Sequence, residues 1–243
     1  MRPDIPALPP IKGFLETSFL DWPGQVCAVV FLPGCNLRCR YCHNHELVLH
    51  PERLQDWAAE EVLGRLRRLR GWIDGVCITG GEPTLHLGLA ELVRLFKREG
   101  FKVKLDTNGT RPRVLRELLR QHLLDYVAMD VKTVLDEQSY RRVCGRPADI
   151  HAIRESITLL KRARAESLGL EFRLTALPGF HGEEEVCRLA WELRGAERFT
   201  IQNFSPANPL DASLRAAAPF EEAELARLRH QANCILLGQA GHA

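Results

Sequence analysis

Six short apolar runs alternate with six longer amphipathic ones, and that alternation constrains the fold of this chain more than any other feature. The short runs lie at 26–32, 75–79, 102–106, 126–130, 170–176 and 198–203, bounded by Gly, Pro, Asp or Asn, and read as strands. The longer runs lie at 57–70, 87–99, 112–121, 150–167, 183–193 and 221–233, and read as helices. Asp56 is placed to cap the first helix by accepting from its free amides. Gly71 and Gly100 stand just past two helices, where a left-handed residue is needed. Glu183, Glu184 and Glu185 crowd one helix start, which suits its dipole. Strands alternating with helices imply parallel βα units. Periodicity does not choose between an open doubly wound sheet and a curved, barrel-like one, and in either case functional residues gather where strands end.

A chain of 243 residues reads as one domain, with a core over about 20–235 and a Pro-rich extension at 1–13. The 33 Lys and Arg against 31 Asp and Glu leave a net charge of +2, so nothing demands nucleic acid or an anionic membrane as a partner. The basic run from Arg65 to Arg70 sits at a helix end and reads as a solvated, dipole-matched face. The N-terminus has no long apolar core, and the longest apolar run, 26–32, is far short of the roughly 20 residues of a membrane helix. The expectation is a cytoplasmic protein.

Eight cysteines in such a chain argue for metal or reactive thiols over disulfides. Cys35, Cys39 and Cys42 follow the first strand in Leu32-Pro-Gly-Cys-Asn-Leu-Arg-Cys-Arg-Tyr-Cys-His-Asn44, while Cys27, Cys77, Cys144, Cys187 and Cys234 are scattered. Three thiolates from one short loop can hold three irons of a cubane and leave the fourth open to a substrate, whereas electron-transfer clusters take four cysteines. Two other readings stand beside this one. The spacing also matches one helix face, as for buried core cysteines, and His43 or His45 would complete a four-ligand zinc site in a non-enzymatic binding module. Cys27 and Cys77 read as small core residues, and Cys144, Cys187 and Cys234 as structural.

The loop's C-x3-C-x-aromatic-C pattern, with Tyr41 as the aromatic, resembles the signature of the radical S-adenosylmethionine superfamily. The resemblance implies an α/β fold, a partial (β/α)6 TIM-like barrel with parallel strands. It also implies a [4Fe–4S] cluster on Cys35, Cys39 and Cys42, with S-adenosyl-L-methionine as cosubstrate. Gly80-Gly81-Glu82-Pro83 follows the second strand. Glycines there let backbone approach a ligand, and in the family this motif contacts the cosubstrate's methionine amino group. Leu105-Asp-Thr-Asn-Gly109 and Met129-Asp-Val-Lys132 end the third and fourth strands. An Asp at a strand end is commonly a turn or cap residue. Pyruvate formate-lyase activating enzymes, however, carry similar D-T-N-G and D-x-K segments, which hold a monovalent cation beside the cosubstrate carboxylate. By that resemblance Asp106 and Asp130 ligate a cation, and Thr107, Asn108 and Lys132 help bind the cosubstrate. Arg173, alone in an apolar strand, reads either as a snorkelling surface residue or as a cosubstrate contact. Asn203, at the end of the sixth strand, is expected near the adenine or ribose.

Asp21-Trp-Pro-Gly24 and Cys42-His-Asn44 are similar to segments of activating enzymes for glycyl-radical proteins, and residues 12–235 fit that pattern. The nearest likeness is to activating proteins of anaerobic ribonucleoside-triphosphate reductase. The reductase is then the expected partner, and a flavodoxin- or ferredoxin-type protein the electron donor. Residues 44–72 hold no cysteine, so the second cluster of many relatives is not expected. A small-molecule substrate, as in 7-carboxy-7-deazaguanine synthase, is the alternative within the same superfamily.

Overall fold

The computed structural model describes residues 6–164 and 167–238. Part of the extension expected at 1–13, and positions 165 and 166 of the helix expected at 150–167, lie outside the described residues.

All six expected strands form: β2 (Cys27–Leu32), β3 (Gly75–Gly80), β4 (Lys102–Thr107), β5 (Tyr126–Asp130), β6 (Gly169–Ala176) and β7 (Phe199–Asn203). They are preceded by a strand the sequence did not suggest, β1 (Gly13–Ser18). Sheet order equals chain order, β1 to β7. β2 runs parallel to β3 with Cys27 opposite Gly75 and Leu32 opposite Gly80, and β3 is parallel to β4, as β6 is to β7. β1 is antiparallel to β2, with a register shift between Leu15 and Ser18. The result is the expected α/β class, with one antiparallel strand added to a partial (β/α)6 barrel. Five of the six residues of β2 are buried, the near-continuous apolar reading of a strand covered on both faces.

The helices are α1 (His45–Leu49), α2 (Ala59–Arg68), α3 (Leu89–Arg98), α4 (Pro112–Arg120), α5 (Glu137–Cys144), α6 (Ile150–Arg164), α7 (Glu183–Glu192) and α8 (Glu222–Leu236). α3 shows why they form. Leu89, Leu92, Val93 and Phe96 are buried at the spacing of one helical face, and Gly100 beyond it takes φ +87°. Gly71 beyond α2 takes φ +82°, also as expected. The Glu185 carboxylate accepts from the Gly182 amide at 2.9 Å and closes the start of α7. One cap expectation fails. α2 begins after Ala58, with no side chain on its free amides, and Asp56 instead pairs with Lys12 at 2.8 Å. The arginines read as a solvated face meet acids: Arg65 meets Glu16 at 2.7 Å, and Arg67 meets Glu99 at 2.6 Å.

The chain divides into two compact units. The first comprises the described residues up to Asn36, Glu46–Thr107 and Arg113–Val127; the second comprises Leu37–His45, Asn108–Pro112 and the chain from Ala128 onward. The first unit carries an apolar cluster of Trp22, Cys27, Val29 and Cys77, with Phe31 and Tyr126 against it. Cys27 and Cys77 are therefore core residues, as expected, and burial pushes the Cys27 thiol up to about 12. Among the described residues no helix is long and apolar enough to cross a membrane.

Candidate functional site

In the first unit the exit of β3 is built against the start of the cysteine loop. The Gly81 amide donates to the Leu32 carbonyl at 2.9 Å and the Glu82 amide to the Gly34 carbonyl at 2.8 Å. A Cβ on Gly81 would stand 1.8 Å from the Gly34 carbonyl oxygen, so only glycine allows this approach. A His86 ring nitrogen lies 2.9 Å from the Pro33 carbonyl. The chain around Cys35 is thus set by the Gly80-Gly81-Glu82-Pro83 turn.

Glu82 is fully buried. Its Oε1 accepts from the Thr84 amide at 3.1 Å, from the Thr84 hydroxyl, and from the Thr107 hydroxyl at 2.8 Å. The Thr107 bond joins the second-strand motif to the D-T-N-G motif. One residue earlier, Asp106 accepts from the Lys104 ammonium at 2.6 Å and from the Thr79 hydroxyl at 3.1 Å. Lys104 and Thr84 were not anticipated. Lys104 has a legible signal, because positions 104 and 106 of a strand share a face.

In the second unit Tyr41, Asp130, Lys132 and Arg173 come together. Asp130 is held by Lys132 at 2.9 Å and by Arg173 at 2.8 Å. Burial acts to neutralise the Asp130 carboxyl, but the charges of Arg173 and Lys132 win and hold it well below the usual carboxylate range. Burial likewise opposes the Lys132 charge, and Asp130 overcomes it, so the ammonium is held above its ordinary value. Two cations, Lys132 and Arg173, thus meet on the one Asp130 carboxylate. The Lys132 ammonium lies 5.9 Å from the centre of the Tyr41 ring. Tyr41 is 7% exposed and its hydroxyl has no hydrogen-bond partner.

Cys39 lies against α5. The Arg38 amide donates to the Cys144 carbonyl at 2.8 Å and the Arg40 amide to the Val143 carbonyl at 3.1 Å. A hydrogen bond with the Cys144 thiol draws the Cys39 thiol below the ordinary range, and the Lys132 charge helps against burial. Burial pushes the Cys42 thiol up. The loop is fastened further on: the Leu210 amide donates to the Cys42 carbonyl at 3.1 Å, and Arg40 pairs with Asp211 at 2.6 Å. Cys144 was expected to be structural and is buried, but its place beside Cys39 had no local signal. Arg173 is not a snorkelling residue, since its side chain is 15% exposed and bound to Asp130.

The remaining expected residues have local partners. The Asn108 side chain accepts from the Thr110 amide at 3.0 Å and the Thr110 hydroxyl at 2.7 Å. The Asn203 amide donates to the Phe220 carbonyl at 2.8 Å and accepts from the Phe220 amide at 3.1 Å, bracing the chain after β7. Of the histidines weighed as zinc ligands, a His43 ring nitrogen lies 2.9 Å from the Ser205 carbonyl, and His45 Nε2 is buried without a partner.

Among the described residues no group of three or more His, Cys, Asp or Glu side chains is placed to hold a metal ion, so the case for an iron–sulfur cluster rests on the donor chemistry of the cysteine loop. All eight cysteines are free thiols, three stand in one loop, and one of the three is biased toward the thiolate that metal binding requires.

The model of the Radical SAM superfamily matches residues 29–190. The chain belongs to the radical SAM superfamily. As a radical SAM enzyme it is 34% identical over 220 residues to a Methanocaldococcus jannaschii protein named "Putative glycyl-radical enzyme activating enzyme", covering 90% of this chain and 89% of that one. It is 34% identical over 141 residues to the pyruvate formate-lyase-activating enzyme of Clostridium pasteurianum, covering 56% of this chain and 57% of the other. Its fold is similar to that of Streptococcus suis SuiB bound to the precursor peptide SuiA, with a TM-score of 0.65 at 17% identity. That match covers 88% of this chain, which spans only 46% of the SuiB chain. This radical SAM chain therefore carries the superfamily's fold and stands among relatives of glycyl-radical activating enzymes.

Proposed function

We propose that this chain binds a [4Fe–4S] cluster through Cys35, Cys39 and Cys42, cleaves S-adenosyl-L-methionine reductively, and installs a glycyl radical on anaerobic ribonucleoside-triphosphate reductase. The observation that carries this is the match along 90% of the chain to a protein named for activating glycyl-radical enzymes. When bound, the cluster supplies one electron to the sulfonium of the cosubstrate, giving methionine and a 5′-deoxyadenosyl radical that takes a hydrogen atom from a backbone glycine.

The protein's own residues bind and orient. The buried Glu82 carboxylate, ordered by Thr84 and Thr107, suits the methionine ammonium. The Lys132 and Arg173 cations beside Asp130 suit the methionine carboxylate. The Tyr41 hydroxyl, buried and unpaired, is a polar atom awaiting a partner. No side-chain general base is needed for this cleavage. Eight free thiols favour the reducing cytoplasm, with a flavodoxin- or ferredoxin-type donor supplying the electron.

The test is anaerobic reconstitution followed by incubation with the reductase, cosubstrate and reductant. A stable glycyl-radical resonance should form only when all four are present. A reconstituted, cosubstrate-cleaving protein that leaves the reductase without a radical would move the substrate to a small molecule. Zinc with neither iron nor sulfide would end the enzyme reading.

A further inference from the structure

We propose that Lys104 is a built-in replacement for the monovalent cation that the D-T-N-G and D-x-K segments suggest, so that this chain binds its sulfonium cosubstrate without sodium or potassium. The inference rests on the radical SAM reading and concerns residues of this chain alone.

Lys104 lies in β4 two residues before Asp106, on the same face of the strand. Its side chain is 1% exposed. Its ammonium stands 2.6 Å from Asp106 Oδ1, 5.8 Å from the centre of the Tyr126 ring and 3.9 Å from Cys77 Sγ. Lysine is almost never fully buried unless paired, because its charge loses water on entering the interior. A branched apolar residue would fill a strand interior without that cost. A lysine placed here therefore has an electrostatic task, and its partner is the carboxylate assigned to the cation.

The second oxygen of Asp106 is engaged as well, by the Thr79 hydroxyl at 3.1 Å. Asp130, the other carboxylate assigned to the cation, carries Lys132 at 2.9 Å and Arg173 at 2.8 Å. Each acid thus has a protein cation of its own. A sodium or potassium ion beside Asp106 would lie close to a fixed ammonium of like charge in a medium that screens poorly. An ammonium group also has nearly the size and the charge of a potassium ion. The residues present do not fit an added cation; they fit a tethered one.

The reconstituted holoenzyme tests this. Cosubstrate affinity is measured by calorimetry at fixed ionic strength in potassium, sodium and tetramethylammonium buffers, the last ion being too large for a carboxylate site. The wild-type dissociation constant should agree within about twofold across the three. Lys104→Met should bind at least fivefold more weakly in tetramethylammonium and recover in potassium or sodium, and Lys104→Arg should stay indifferent to the cation. As a readout independent of cluster and cosubstrate, the melting temperature of metal-free Lys104→Met should rise with potassium, and that of the wild type should not. If Lys104→Met does not fold, the wild-type series decides alone. A wild-type affinity that climbs severalfold and saturably with potassium or sodium overturns the proposal while leaving the radical SAM reading intact. No cosubstrate binding in any buffer overturns both.

Discussion

Arg173 Nε donates to Asp130 Oδ1 at 2.8 Å, joining β6 to the end of β5 through a charge-assisted hydrogen bond. The backbone closes the same link, with the Val131 amide donating to the Arg173 carbonyl at 2.8 Å. Arg173 thus clamps Asp130 from both its side chain and its backbone. Arg173→Met leaves Asp130 with Lys132 alone. Stability to urea should fall by roughly 1.5–3 kcal/mol, the worth of a charged hydrogen bond, and Arg173→Lys should recover part of it. Unchanged unfolding midpoints for Arg173→Met would contradict the clamp.

Gly81→Ala should be far more damaging than its one methyl group suggests. The added Cβ would stand 1.8 Å from the Gly34 carbonyl oxygen, and backbone cannot swing aside as a side chain can. Overpacking of this kind costs typically about 1–3 kcal/mol. The strain falls on the loop that begins at Gly34, so iron retained after anaerobic reconstitution should drop along with the melting temperature. Full iron content in a stable Gly81→Ala protein would separate the turn from the cysteine loop.

His181 gives the fold a pH dependence. It is fully buried, its Nδ1 accepts from the Leu177 amide at 2.9 Å, and burial holds its pKa down to about 4. The unfolded chain takes up a proton near pH 6.5 that the folded one refuses until about 4. The histidine's contribution is complete above about 6.5 and is lost as pH falls toward 4, at about 1.4 kcal/mol per pH unit. Denaturant melts of metal-free protein between pH 7 and 4.5 should show this slope, and His181→Asn, which keeps an acceptor for Leu177, should flatten it. Equal slopes in both proteins would assign the acid sensitivity to other groups.

Cys144 should be dispensable for iron and felt by Cys39. Cys144→Ala is expected to load as much iron as the wild type, since the cluster loop keeps its three thiols. In the metal-free protein, loss of the thiol hydrogen bond that draws Cys39 down should slow its alkylation at neutral pH. Iron loss comparable to that of Cys39→Ala would make Cys144 a ligand.

Much of this was legible because the signals are local. The parallel strands are short apolar runs, and β3 and β4 end in segments whose glycines and acids have no bland use together. β1 escaped because an edge strand buries little: three of its six residues, Leu15, Glu16 and Thr17, are exposed. α5 escaped although its ends are marked. Asp136 accepts from the Ser139 amide at 2.8 Å and Gly145 takes φ +64°, but the polar run between them lacked a clear apolar stripe. Asp56 was misread because a helix start and an ion pair with Lys12, 44 positions away, look alike in one dimension. The contact of Cys39 with Cys144 spans 105 positions, and no spacing rule reaches that far. Lys104 could have been found, since strand parity alone puts it beside Asp106.

The cysteine loop offers three thiols, Cys35, Cys39 and Cys42, so a cubane bound there would leave one iron for the cosubstrate. Mössbauer spectroscopy of the reconstituted protein, with and without S-adenosyl-L-methionine, reads that iron directly. One iron site should change its isomer shift when the cosubstrate is added, while the others stay as they were. A spectrum that the cosubstrate leaves untouched at every iron would contradict it.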